Sequence, residues 1–492
     1  MDTARRDFLT TTRFKSVAVA LVLGTAGVVF AAVLCASGNY REAAAVAAAA
    51  IAAWLVVSMP ISIETLLIVW FATTPLLSFY IRFPTDRSIL TYNRVVIGLL
   101  AVALIVKQTR PGEWSSLRSR FSLSRFEVAW VLLSGLALAS AFAQSNNVAY
   151  ATRMSVDTFW LPLVAFHLSR NHFRLASNGK ALLLGAVALV FFLVVTGAFE
   201  FGAGLDLFAY KGSEIVREGE RRVNGPFATD SSYAIICLMF FLFLQAAPRM
   251  FHLRFDRSAK LVYFLALACA ALGALLPAFR AVALALIVCW IILEWTARAG
   301  DEKFLRRSLP AGSLIVAGMI VAAMLAAVAA PSAFVNRLAS ARSAFGRLAT
   351  WQAAVEITFY KPVFGVGLGN YSEAYDATHY YAEQPDEEVL DTRAAYYPHS
   401  NLLWISSELG LTGLALYITA NVYLFLMGWR ALKRASDQQQ RTTAACVIAL
   451  LVAYWIPGLT LSSGYYSDLN LYFFFLAGAL LNRSSRTVDI RN

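Results

Sequence analysis

The sequence has few charged residues. Asp, Glu, Lys and Arg make up only 15% of its 492 residues, whereas hydrophobic types make up 59%. Soluble globular domains carry about 25% charged residues, and disordered chains have low hydrophobicity together with a high net charge. Both classes are therefore excluded, and the composition is that of a membrane protein.

Cysteines and metal-binding motifs are also scarce. The five cysteines all fall within apolar runs: Cys35, Cys237, Cys269, Cys289 and Cys446. Neither a disulfide framework nor a zinc-ligand spacing is present, and the longer hydrophilic segments contain no Asp/Glu-x-Asp motif. We therefore expect no metal site and no cofactor.

Long polar segments are scarce. Apolar runs with about the length needed to cross a membrane recur along the chain instead. A run of about 20 residues crosses the hydrocarbon core as a helix. The pattern predicts an all-α polytopic membrane protein with about 12–14 transmembrane helices. The fourteen candidate runs are 17–36, 42–59, 61–81, 88–106, 127–143, 151–168, 181–201, 231–247, 260–278, 280–297, 312–330, 401–424, 443–461 and 467–481.

The basic residues indicate the orientation of these runs. With the N-terminus in the cytoplasm, most of the 42 Lys and Arg fall in cytoplasmic connections, as the positive-inside rule requires. Both termini are then cytoplasmic, and the first run is interpreted as a retained signal-anchor because further spans follow it. The net charge of +12 reflects this topology. A nucleic-acid partner is excluded, because the basic residues form no single stripe.

Two longer segments, 202–230 and 331–400, consequently face outward. The second is rich in acidic residues and contains a helical stretch from Arg347 to Tyr360. We expect an apolar face of this stretch to lie on the membrane; its members are Leu348, Trp351, Ala354, Val355 and Ile357. The run from Gly365 to Asn370 lacks the spacing and context of a nucleotide-binding loop, so it is interpreted as a tight turn.

Two groups of outward arginines are candidate anion sites. Arg221 and Arg222 precede a Gly-Pro turn, and their guanidinium groups suit a phosphate; a solvated loop paired with its own glutamates is the alternative. Arg280 stands at an outer hairpin, against the positive-inside bias. It either faces a lipid-borne anion or extends towards the lipid headgroups.

His399 and Tyr397 lie where the second segment meets the next apolar run. An imidazole titrates near neutral pH, so His399 is a candidate general base for an attacking hydroxyl. The alternative is a structural histidine at the start of the helix. Tyr397 belongs to an aromatic-rich stretch that either stacks on sugar rings or anchors the chain at the interface.

The order of these motifs resembles the bacterial O-antigen ligases and their relatives among O-antigen and exopolysaccharide polymerases. His399-Ser400, followed after nine residues by Gly410-Leu411-Thr412-Gly413, is similar to the ligase signature. Further matches to the family's motifs are Arg280 to Leu284, then Arg222 with Gly225 and Phe227, and the run Gly346-Arg347, Trp351, Pro362, Gly365, Gly367 and Gly369-Asn370. The sequence departs from the family at Thr229 to Ser232, where relatives often have Pro-Asn.

The resemblance implies a glycosyltransferase of the bacterial inner membrane whose active site faces the periplasm, with one large periplasmic loop carrying short helices. Its donor would be an undecaprenyl-diphosphate-linked glycan and its acceptor a sugar hydroxyl, with inversion and without a metal. Catalytic roles fall on His399, Arg280 and Arg222, and substrate-binding roles on Arg221, Arg347, Gly410 and Tyr397. The catalytic core would span 191–425, between transmembrane regions over 1–190 and 426–492.

Several alternatives stay open at this point. A ligase would attach a finished polymer to lipid A–core, whereas a polymerase would join one lipid-linked unit to another. A protein O-oligosaccharyltransferase would need a peptide acceptor. A transporter or flippase would be expected to have charged residues inside its spans and repeat symmetry, and we expect neither.

Overall fold

A computed structural model of the protein describes residues 62–83, 90–108, 123–205, 207–208, 216–217, 220–221, 223–253, 255–298, 342–378 and 397–482. Nearly all of them are helical, and the strands in these ranges are two short antiparallel pairs. The chain divides into two compact units, one formed by residues 1–122 with 171–173 and the other by the remainder.

The described residues of the first unit include two helices joined by a short hairpin. Helix α1 (Ile63–Tyr80) is followed by strands β1 (Arg82–Phe83) and β2 (Leu90–Thr91) and by helix α2 (Tyr92–Gln108). Ser62 caps α1 by accepting a hydrogen bond from the Thr65 amide. The buried indole of Trp70 donates to the Asn93 side chain over 3.0 Å, which holds the two helices together.

The second unit is a helical bundle. Its elements in chain order are α3 (Arg125–Ala143), α4 (Val148–Ser155), a π-helical turn (Val156–Trp160), α5 (Leu161–His172), α6 (Leu175–Ala198), a second π turn (Phe199–Ala203), β3 (Val216–Arg217), β4 (Glu220–Arg221), α7 (Asp230–Met250), α8 (Arg257–Leu275), α9 (Arg280–Arg298), α10 (Arg342–Tyr360), α11 (Tyr371–Asp376), α12 (Asn401–Lys433), α13 (Gln438–Gly458), a 3₁₀ turn (Ser463–Tyr465) and α14 (Ser467–Leu480).

The fold class predicted from the sequence is confirmed. In the described part of the chain eight helices are long and apolar enough to cross a membrane, and α2 and α14 are shorter apolar helices. Of the fourteen predicted runs, 17–36, 42–59 and 312–330 lie outside the described residues. The run at 151–168 is divided by the first π turn instead of forming one uninterrupted α-helix.

Helix α7 forms the centre of the second unit. Nearly all of its residues are buried, including Tyr233 and a continuous series from Ile235 to Leu244. It packs against α6, α8, α9, α13 and α14. A helix that is apolar around its whole circumference has no face for water, so it is expected at the middle of a bundle. This packing sets the positions of the helices around α7, including α9 and α14.

Helix α10 differs from the sequence expectation. Ala354 and Ile357, predicted to lie on the membrane, are buried together with Ala353. The helix packs against α11 and α12, and Thr358 donates a hydrogen bond to Ser406 or accepts one from it over 3.1 Å. The prediction is therefore wrong for these two residues, because one side of α10 covers the protein core.

Helix α12 is broken at Gly410, whose φ of 68° and ψ of −173° are far from helical values. The loop from Pro362 to Gly367 supplies the hydrogen bonds that the break removes: the Leu411 amide donates to the Pro362 carbonyl over 2.7 Å, and the Gly367 amide to the Glu408 carbonyl over 3.0 Å. Gly365, Gly367 and Gly369 all have positive φ, so the tight turn predicted for this run is confirmed.

Candidate active site

The candidate site lies at one end of the bundle, where several helices begin. Arg280 is the first residue of α9 and its side chain is exposed. The turn before it contains Ala278 at a φ of 54°, a value uncommon for residues other than glycine. The first amides of a helix have no intrahelical acceptor, and the helix dipole is positive there. Arg280 therefore adds a full charge to an already positive position.

Arg347, on helix α10, lies close enough to Arg280 for the two charges to repel. Burial, and after it the charge of Arg280, lowers the pKa of Arg347, while Asp230 and Tyr466 act in the opposite direction. A guanidinium remains charged despite such a shift. The structure thus brings together residues from α7, α9, α10 and the start of α14, where positive charge exceeds negative charge.

Tyrosines form the next part of the site. Burial raises the pKa of Tyr466, and Tyr397 and Asp230 raise it further, whereas Arg347 lowers it. The rings of Tyr397 and Tyr465 lie 4.3 Å apart between centroids. Burial and then the neighbouring Tyr397 also raise the pKa of Tyr150. Tyr397, predicted to bind substrate, therefore lies close to the other tyrosines, and Tyr466 interacts with both Tyr397 and Arg347.

His399 lies in the same region of the chain, immediately before α12. It is half-buried and has a φ of 48°, in the left-handed region that few non-glycine residues adopt. The next residues are held in place: the Ser400 amide donates to Ser462 over 3.3 Å, and the Asn401 side chain accepts from the Ser463 amide over 2.6 Å. The loop that carries Tyr466 thus also positions His399.

A buried carboxylate, Glu408, joins three parts of this region. It accepts hydrogen bonds from the Gly369 and Tyr371 amides over 3.0 and 3.2 Å. The Trp404 indole donates to it over 2.8 Å, and the Tyr465 hydroxyl over 3.2 Å. Glu408 is completely buried. It therefore connects the loop from Gly365 to Asn370 (the glycine loop), helix α12 and the pair formed by Tyr397 and Tyr465.

Sequence reasoning missed Glu408. The available signal was an acidic residue inside the apolar run 401–424, where ionisable groups are costly and usually functional. Glu127 and Glu294 are likewise buried within apolar helices. The expectation that the spans contain no charged residues is therefore wrong.

A second buried carboxylate shapes the loop of the predicted Arg-x-x-Gly-x-Phe motif. Glu200 accepts from the Asn224 and Gly225 amides, both over 2.8 Å. Gly225 has a φ of 54°, and a Cβ atom there would lie 2.7 Å from the Tyr233 ring. The predicted catalytic residue Arg222 lies outside the described residues. Arg221 belongs to strand β4, of which the structure describes the backbone.

Gly410, predicted to bind substrate, lies at the break in α12. It is buried there, and a Cβ atom would collide with the carbonyl of Val363. Gly410 therefore permits the helix break, and its substrate-binding role stays a prediction.

In the part of the chain that the structure describes, no group of three or more His, Cys, Asp or Glu side chains is placed to hold a metal ion. Among the residues that the structure describes, Arg280 and Arg347 are the arginines placed at the site to interact with an anion.

Part of the chain is similar in sequence to known proteins. Residues 224–418 match the family model described as O-antigen ligase. Proteins named "Putative polysaccharide ligase" from Rickettsia conorii and Rickettsia typhi are 30% and 29% identical over 128 residues. These alignments cover 25% of this chain and 28% of each relative, so the chain spans little more than a quarter of the relatives' length. The predicted resemblance is confirmed: residues 224–418 of this membrane protein are similar to the O-antigen ligase family.

Proposed function

We propose that the protein transfers a glycan from an undecaprenyl diphosphate carrier to a sugar hydroxyl at the periplasmic face of the bacterial inner membrane. The O-antigen ligase match supports the reaction class. The observation that carries the proposal is the proximity of Arg280 and Arg347. A diphosphate leaving group is an anion that such a pair would stabilise as its bond to the sugar breaks.

The surroundings of the two arginines suit a phosphate ligand. Guanidinium groups bind phosphate oxygens through two parallel hydrogen bonds, and the N-terminus of α9 adds backbone donors beside Arg280. Asp230 offsets part of the repulsion between the arginines in the absence of substrate. Part of the positive charge is thus balanced before the donor binds.

In the proposed reaction, the acceptor hydroxyl oxygen attacks the anomeric carbon from the face opposite the diphosphate. The bond between that carbon and the phosphate oxygen breaks, and its electron pair leaves with the diphosphate. His399 accepts the hydroxyl proton as general base and later releases it to water. A single displacement of this kind inverts the anomeric configuration.

The periplasmic orientation is part of the proposal and is supported by the positive-inside pattern. Helices α7, α9 and α12 all begin at the end of the bundle that carries the candidate site. The opposite ends of the same helices carry basic residues, including Arg249 and Arg430. Basic residues concentrate on the cytoplasmic side of membrane proteins, so the site would face outward.

The acceptor distinguishes a ligase from a polymerase. The family description and the names of both relatives favour a ligase, for which we propose lipid A–core or another finished surface-glycan anchor. With purified protein in vesicles, a ligase would form product only when that acceptor is supplied. Chain extension from lipid-linked donor alone would identify a polymerase.

The test of the mechanism uses the same vesicles and measures release of undecaprenyl diphosphate. His399→Ala is expected to abolish transfer while membrane abundance stays normal. His252→Ala is the matched control, because His252 also has a positive φ, of 47°, and is exposed in the turn after α7. Full activity of His399→Ala would refute the general-base assignment.

Arg280→Lys tests the arginine pair. An ammonium group retains the charge but lacks the planar pair of donors, so transfer should be severely reduced. Arg257→Lys is the control, because it makes the same arginine-to-lysine substitution at an exposed position at the start of α8. If Arg280→Lys transferred glycan at the wild-type rate, Arg280 would not have the proposed role in stabilising the diphosphate.

A further inference from the structure

A group of arginines lies at the other end of the same bundle. Helix α12 begins next to His399 and ends near Arg430 and Arg434. Helix α3 begins at Arg125, and its far end approaches the glycine loop, where the Leu368 amide donates to Ser140 over 3.1 Å. The start of helix α3 and the end of helix α12 therefore lie far from the candidate active site.

A cavity of about 360 Å³ opens between these helix ends. Its polar lining consists of Ser124, Tyr423 and four arginines: Arg125, Arg170, Arg430 and Arg434. We propose that this cavity binds the phosphate group of an anionic phospholipid from the leaflet opposite the candidate active site.

The charge of the lining supports an anionic ligand. Arg170 is almost completely buried and forms an ion pair with Glu127. That carboxylate also contacts His167 over 2.7 Å and caps α3 through Ser124. Glu127 thus compensates Arg170 and holds it in position, and the described residues that line the cavity include no carboxylate. The other three arginines are exposed, so the cavity carries excess positive charge.

Arg430 and Arg434 lie four residues apart and therefore on one face of α12. Like charges at this spacing repel each other, and a shared phosphate would convert that repulsion into two charge-assisted hydrogen-bonded contacts. Arginines near a helix C-terminus are also favourable without a ligand. That explanation does not account for Arg125, which comes from the start of a different helix and lines the same cavity.

The cavity suits a lipid better than a free ion because part of its lining is apolar. Met427 and Leu481 contribute this part, and both belong to regions at the ends of apolar helices. Exposed Trp429 is on the same final turns of α12, and tryptophan concentrates at membrane interfaces. Basic cavities between transmembrane helices commonly bind anionic headgroups.

Native mass spectrometry of the purified full-length protein tests the proposal with phosphatidylglycerol and phosphatidylcholine added separately. We expect a first phosphatidylglycerol adduct at concentrations where phosphatidylcholine forms none. Arg430→Gln with Arg434→Gln should weaken that adduct about tenfold or more, as expected when charge-assisted contacts are removed. Arg125→Gln, on the other helix, should weaken it too.

Lys433→Gln is the matched control, since its ammonium lies over the Trp429 ring at 5.5 Å and is not among the residues lining the cavity. It should leave the first adduct unchanged. Equal phosphatidylglycerol binding by wild type and the double variant would overturn the proposal. The proposal would also be overturned if inorganic phosphate displaced the lipid and if phosphate binding were lost in the double variant. The ligand would then be a soluble anion. No glycan is present in this assay, so its outcome is independent of the transfer reaction.

Discussion

Arg347 and Arg280 belong to different helices, yet the positive charge of Arg280 acts on Arg347 strongly enough to add to the effect of burial in lowering its pKa. Bringing two cations together opposes folding unless something offsets the repulsion. Asp230 and Tyr466 offset part of it. A bound dianion would offset the rest, so this pair is the clearest place to test ligand binding.

Arg347→Gln should weaken inhibition of transfer by inorganic pyrophosphate, which resembles the leaving group. Hydrogen bonds to charged groups contribute about 1.5–3 kcal/mol, which corresponds to roughly one to two orders of magnitude in the inhibition constant. Arg257→Gln is the control with the same charge change. An unchanged inhibition constant in Arg347→Gln would contradict an anion site at this arginine.

Gly410→Ala should destabilise the protein. Its backbone conformation is almost restricted to glycine and costs other residues about 1–3 kcal/mol, and the added methyl group would collide with Val363. Gly135→Ala is the control and should stabilise the protein. Gly135 lies inside α3 with open space around it, and alanine in a helix is more stable than glycine by about 0.5–1 kcal/mol. The melting temperature in detergent measures both. A wild-type melting temperature for Gly410→Ala would disprove the close contact.

Glu408→Gln should lower the free energy of unfolding by about 1–3 kcal/mol. The amide nitrogen of glutamine cannot accept, so at least one buried donor among Gly369, Tyr371, Trp404 and Tyr465 would lose its partner. Glu373→Gln, at an exposed position, is expected to have little effect. If chemical unfolding finds the two variants equally stable, Glu408 does not hold the loop to the helix.

Glu127→Gln should be more damaging, by about 3–5 kcal/mol, because it leaves the buried Arg170 without its carboxylate. Combining it with Arg170→Met should restore part of the lost stability, since the uncompensated charge is then removed as well. The comparison requires unfolding curves of both single variants and the double variant. If the losses in unfolding free energy of the two single variants added up in the double variant, the broken ion pair would not be the cause of the destabilisation.

Much of the fold was predictable because membrane helices follow from composition and run length. The all-α polytopic class is confirmed, and so is the tight turn at Gly365 to Gly369. The buried side of α10 was not predictable: Ala354 and Ile357 have the same apolar character whether they face lipid or another helix. Hydrophobicity does not distinguish those two environments.

The candidate site was predictable in part. Sequence motifs selected Arg280, Arg347, Tyr397 and His399, and their assigned roles stay predictions. Asp230 and Tyr466 were missed because their relevance depends on proximity to Arg347 across several helices. Glu408 was missed because its hydrogen-bond donors come from the distant glycine loop and from Tyr465.

The sequence by itself determined that the chain forms membrane helices and that residues 224–418 resemble the O-antigen ligases, because both properties depend on the order of residues along the chain. Only the tertiary structure decided which charges act on one another: the repulsion of Arg280 and Arg347 and the burial of Glu408 arise when separate helices pack. Electrostatic interactions depend on distance through space and on the surrounding dielectric, and neither quantity is encoded by position in the sequence alone.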